Sequence, residues 1–320
     1  YEHTPFFTSI WHGHEMVFGF AGAAIAGVFS AAVPNWTGRP RLCGLPLFGL
    51  FLLWVLGRVA IWTETALWID LLFLPLFAVR MAWDIIKAGN RRNLIVPLMV
   101  LFLSAMNGLY HYGDPILAMR VGCYIIAALI ALIGGRVVPT FTSNALKPSV
   151  NPNTFPALRR IIGILVIPSV LGVALSELFL PQSIFSGIVA FIACFVLSVR
   201  MIGWGITKVW SIPILWVLHL GYVWVPIGFF LKGMSDVFLW GDPSAALHAI
   251  TVGAIGTMIL AISSRAALGH SGRPLIAVPL IVAAYIAVTL GAMTRVFLFP
   301  WDYSVLLSGI LWIIDLILFV

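Results

Sequence analysis

Stretches of about twenty apolar residues recur along the whole chain, each closed by Pro, Gly or a charged residue, and nothing else constrains the fold as strongly. A helix rises ~1.5 Å per residue, so about twenty residues cover the ~30 Å hydrocarbon layer of a bilayer. The stretches fall near residues 10–33, 45–62, 65–84, 94–111, 116–138, 160–180, 184–203, 210–231, 244–264, 275–297 and 303–320. They predict an all-α fold, a polytopic integral membrane bundle of about eleven helices in a single transmembrane domain. Lipid offers backbone amides no partner, so each segment must satisfy its own hydrogen bonds, which a helix does. Composition agrees. Of the 320 residues, 62% are hydrophobic and only 9% charged, where a soluble domain carries roughly 25% charged residues. The lipid bilayer is therefore the first partner this sequence implies.

The formal net charge is +7, but its placement says more. The first connection holds Arg39 and Arg41, the third Lys87, Arg91 and Arg92, and the fifth region Arg136, Lys147, Arg159 and Arg160. Even-numbered connections hold Glu64, Asp114 and Asp242, and Lys232 and Asp236 are expected beside the last of these. Basic loops stay in the cytoplasm, so odd connections read as cytoplasmic and the first span enters from outside. A further helix upstream of Tyr1 would bring the count to twelve, with both ends in the cytoplasm. No run of Lys or Arg forms a polar basic face, which argues against nucleic acid as a partner. Cys43, Cys123 and Cys194 are scattered and form no CxxC or CxxCH, which argues against a zinc ribbon and covalently attached haem.

The chain also repeats itself. With His14 set against His248, residues 14–40 and 248–274 align without a gap and share nine identities in 27 positions. The matched residues include the His, two glycines and the closing Gly-Arg-Pro at 38–40 and 272–274. Both copies run from outside to inside. Parallel repeats place equivalent side chains around an axis along the membrane normal.

Most histidines gather at one depth. His3, His12, His14, His111 and His248 fall at or just inside the outer surface, His219 lies deeper within a helix, and only His270 is cytoplasmic. Neutral imidazole is a common metal ligand, and several at one depth point to metal or haem ligation. His12 and His14 are about 200° apart around a helix and face opposite ways. Glycines five and eight residues beyond His14 and His248 leave room for a planar ring or for a close helix contact. Arg58, Arg120 and Arg295 sit in outer halves of spans, suited to haem propionates or to pairing with Glu15, Asp70 or Glu177. Met16 and Met106 are weaker candidates as soft ligands.

The run Trp11-His12-Gly13-His14-Glu15-Met16, then Phe18-Gly19-Phe20 and Pro34-Asn35-Trp36-Thr37-Gly38-Arg39-Pro40, resembles the NnrS family. So do Asn107-Gly108-Leu109-Tyr110-His111, Gly134-Gly135-Arg136-Val137-Val138-Pro139, and the segment from Leu247-His248 to Gly269-His270-Ser271-Gly272-Arg273-Pro274. The resemblance implies a haem- and copper-binding protein of the bacterial inner membrane, acting in nitric oxide response, nitrosative stress resistance and denitrification. On that reading haem b is held by His14 and His248, with Arg58 and Arg295 near its propionates. Copper is held by some of the metal-ligand candidates His12, His14, His111, His219 and His248. A haem/copper oxidoreductase acting on nitric oxide would also need an electron donor protein or quinol. Two other readings stay open: a metal-ion or proton-coupled transporter without redox function, and a non-catalytic sensor or assembly factor.

Overall fold

The computed structural model describes residues 8–146, 156–298, 301 and 303–319. Eleven helices hold most of these residues, and no strand occurs among them. They are α1 (Ser9–Thr37), α2 (Gly44–Trp62), α3 (Asp70–Lys87), α4 (Ile95–Tyr112), α5 (Pro115–Ala145), α6 (Pro156–Phe179), α7 (Ile184–Arg200), α8 (Pro213–Phe238), α9 (Pro243–His270), α10 (Pro279–Phe297) and α11 (Ser304–Phe319). Eight are long and apolar enough to cross a membrane, and α7 and α11 are shorter apolar helices. The remaining one, α3, carries Asp70, Arg80, Asp84 and Lys87 in its 18 residues.

Burial is inverted relative to a water-soluble protein. Large apolar side chains such as Leu45, Phe48, Phe51 and Ile317 point outward, while His14, Glu177, Lys232 and Asp315 are buried. Lipid is as apolar as the outward side chains, so only the polar groups have reason to turn inward.

Packing divides the chain at residue 125, inside α5, into units 1–125 and 126–320. In the first, α3 packs against α1, α2 and α4. Its C-terminal end is tied by Arg39 Nε, which donates to Asp84 Oδ1 at 2.7 Å, and by the Arg80–Asp84 pair. In the second, α7 packs between α6 and α8, α8 and α10 both pack on α9, and α10 pairs with α11.

Several helices outrun their apolar stretches. Helix α8 continues to Phe238, so Lys232 and Asp236, expected in a connection, are buried inside it. Lys232 Nζ donates to Glu177 Oε2 at 2.5 Å and to Asp236 Oδ2 at 2.6 Å. The pairing removes the reason for the helix to stop at the first charge. Helix α5 likewise runs past Pro139 to Ala145.

The two repeat-related segments have the same order of local structure. Thr8 caps α1 by accepting from Trp11 N–H, and Asp242 caps α9 by accepting from Ser244 N–H. Six residues of α-helix follow, ending on His14 and on His248. A π-helical stretch comes next, Glu15–Phe20 in one and Ala249–Gly256 in the other. Each helix then resumes as α and is followed by a left-handed glycine, Gly38 (φ 65°) as the cap of the first and Gly272 (φ 67°) just after the Ser271 cap of the second, a conformation costly for a residue with a Cβ.

Candidate metal centre

The N-terminal ends of α1 and α3 and the C-terminal ends of α2 and α4 converge on one polar cluster. Helix α1 supplies His14 and Glu15, α2 supplies Arg58, α3 opens with Asp70, and α4 presents Asn107 and His111 four residues apart on one face. Two glycines allow the approach. A Cβ on Gly57 would lie 3.0 Å from the Asp70 backbone, and one on Gly19 would lie 2.6 Å from the Arg58 guanidinium. Arg58 thus lies over α1 beside Glu15, and Trp54 Nε1 donates to Gly19 O at 3.1 Å nearby.

His14 is fully buried. Its Nδ1 faces Glu15 Oε1 at 3.2 Å, and its Nε2 faces Asn107 Oδ1 at 3.0 Å and Asp70 Oδ2 at 3.3 Å. His111 Nε2 meets the same Asp70 oxygen at 3.2 Å. Asn107 Nδ2 donates to it at 2.7 Å, which orients the amide. A neutral imidazole has one N–H, yet both nitrogens of His14 look onto oxygen acceptors. A cation at the Nε2 side satisfies those lone pairs together. One donor atom each from His14, Asp70 and His111 lie within 4.8 Å of one another, and a transition metal sits ~2 Å from each ligand.

The charge balance points the same way. Arg58 Nη1 donates to Glu15 Oε1 at 2.6 Å, and Arg58 Nη2 pairs with Asp70 Oδ1. Two carboxylates against one guanidinium leave one negative charge when the imidazoles are neutral. In a low-dielectric interior that surplus favours an additional positive charge. Of the carboxylates that the sequence offers as partners, Arg58 meets Glu15 and Asp70. Tyr110 covers His14, ring centroids 4.3 Å apart.

The other candidates lie elsewhere. His12 is exposed, on the side of α1 away from His14, as their spacing requires. His3 falls outside the described residues. In the second unit, His248 Nδ1 donates to Ser244 O at 2.6 Å, which fixes the tautomer with its lone pair on Nε2, the form a metal or haem iron takes. Arg295 Nη2 donates to Ser244 Oγ at 3.3 Å, and that hydroxyl is 3.2 Å from His248 Nδ1, so Ser244 brings His248 and Arg295 together. His219 is buried with Nε2 2.9 Å from Thr142 Oγ1, and its Nδ1 has no hydrogen-bond partner. The glycines that follow His248 face the rings of Trp224, at Gly253, and Trp312, at Gly256. Both glycines allow a close contact between helices and these rings. Met106 is buried and Met16 half-buried.

From the sequence, Asp70 and Glu15 read only as charge partners for Arg58, Arg120 or Arg295, and nothing singles out Asn107 as a site member. The available signal was depth: all three lie within two helical turns of the outer helix ends that carry His14 and His111. The family model described as NnrS protein matches residues 3–320. No curated protein and no solved structure matches the chain.

Proposed function

The chain belongs to the NnrS family, membrane proteins associated with the nitric oxide response, and on that premise we propose that it binds copper and haem b and acts through them on nitric oxide or a related species. The observation that carries the proposal is the convergence of His14, Asp70 and His111 at the outer end of the first unit. Two imidazole nitrogens and one carboxylate oxygen form a donor set that copper accepts. Glu15 and Asn107 would orient His14, and Arg58 would hold Asp70 and Glu15 in place. Copper, when bound, supplies an open coordination position and a one-electron couple. Within the second unit, His248, with its Nδ1–H donated to Ser244 O, would hold the haem iron, and the adjacent Arg295 would pair with a propionate.

Metal analysis and optical spectra of the purified protein, oxidised and reduced, test the reading. About one copper per chain is expected, falling at least ~10-fold in His111→Ala and in Asp70→Asn, because a metal site loses affinity steeply with a ligand. The reduced b-type haem bands should vanish in His248→Ala. If His14→Ala abolishes those bands as well, His14 returns to the haem-binding role expected from the sequence. Copper at wild-type level in both His111→Ala and Asp70→Asn would overturn the copper site. A featureless spectrum after expression with ample haem would remove the haem, and metal uptake by proteoliposomes would then favour the transporter.

A further inference from the structure

We propose that a cavity in the second unit, at the cytoplasmic ends of α5, α6 and α7, is a binding site for a phosphate group, with the head group of an anionic phospholipid as its expected source. The cavity holds about 150 Å³ and is lined by Gly135, Arg159, Ile162, Arg200 and Trp204, among others. That is an order of magnitude above the ~10–15 Å³ that admits one water.

Two arginines line it, and among the described residues neither has a carboxylate partner. Arg200 lies directly against Gly135, where any side chain would collide with its guanidinium. It donates from Nη1 to Ala131 O at 3.1 Å. Arg159 reaches only Ile202 O, at 3.5 Å, and its buried Nε makes no hydrogen bond. Each guanidinium offers five N–H donors in a planar fork that matches phosphate oxygens. The acceptors supplied by the chain fall far short of that number.

Position adds a second reason. Arg159 stands in the first turn of α6, which starts at Pro156. The helix dipole is positive there and disfavours a cation unless an anion is held beside it. The charge distribution puts this end of the helices in the cytoplasmic leaflet, where basic pockets between spans take up anionic head groups. The rim is apolar: Leu158 and Ile202 line the cavity and are exposed. They offer acyl chains a surface next to a site for the head group, which a soluble anion would not use.

The test measures thermal stability of the intact detergent-solubilised protein with short-chain phosphatidylglycerol, with phosphatidylcholine, and with inorganic phosphate. Phosphatidylglycerol should raise Tm by several degrees where phosphatidylcholine does not. The rise should disappear in Arg159→Gln and persist in Arg160→Gln, whose exposed neighbouring arginine does not line the cavity. If inorganic phosphate alone gives the same Arg159-dependent rise, the site stands and its source is the free anion. Should Arg159→Gln fail to fold, Arg159→Lys serves instead, with the half-saturating lipid concentration raised several-fold because the fork is lost. Native mass spectrometry of the wild type should also retain one anionic lipid per chain. No rise with either phosphate source, or an equal rise in wild type and Arg159 variants, overturns the proposal.

Discussion

At the scale of single residues, the buried charges decide what the chain tolerates. Lys232 sits between Glu177 and Asp236, all three nearly inaccessible. Removing the cation leaves two carboxylates facing each other in a medium that solvates neither, at a cost of about 3–5 kcal/mol. Lys232→Met should therefore lower the unfolding free energy by that amount in denaturant titrations in detergent. Adding Glu177→Gln to it should recover part of the loss, since only one charge then stays buried. Equal stability of the single and double variants would mean that Glu177 does not feel Lys232. The histidines were legible in the sequence because imidazole inside a span is rare and needs a reason. The acids around them were not, because an Asp at a helix end reads equally well as a loop residue. Asp70 opens α3, and only the fold brings it between His14 and His111.

At the scale of elements, each span was legible because lipid demands an unbroken apolar length, and their ends moved wherever a charge found a buried partner. What periodicity could not show is the π-helical geometry after His14 and His248, since it leaves composition untouched. A π turn holds one residue more than the α turn it interrupts, and π turns recur at functional sites. Deleting Val17 should let α1 relax to α-helix and rotate His14 by about 100° relative to the helix below it. His14 would then turn away from Asp70 and His111. Such a deletion variant should insert normally and lose copper in metal analysis; unchanged copper would show that the π turn does not position the ring. The close contacts at glycine make a comparable prediction. In Gly253→Ala the new methyl meets the Trp224 ring, with a Cβ 2.5 Å from its nearest atom. Overpacking of that kind costs about 1–3 kcal/mol, visible as a lower thermal midpoint.

At the scale of the whole molecule, the sequence carries its own orientation in the arginines and lysines of alternate connections. The native cysteines supply a direct test. Cys43 is exposed in the connection after α1, which the charge pattern assigns to the cytoplasm, whereas Cys123 is buried. A membrane-impermeant maleimide should leave Cys43 unlabelled in intact cells and label it once the membrane is opened. Labelling in intact cells would reverse the topology and put the histidine cluster on the other side. The division at residue 125 was not visible beforehand, because it falls within a continuous apolar helix and no linker marks it. It has a consequence for the order in which the protein is made. The histidines and acids that converge at the outer ends of α1 to α4 all precede residue 113. A ribosome has therefore supplied the complete set before the second unit is translated. The copper proposed for that cluster would have all of its protein ligands before the second unit exists.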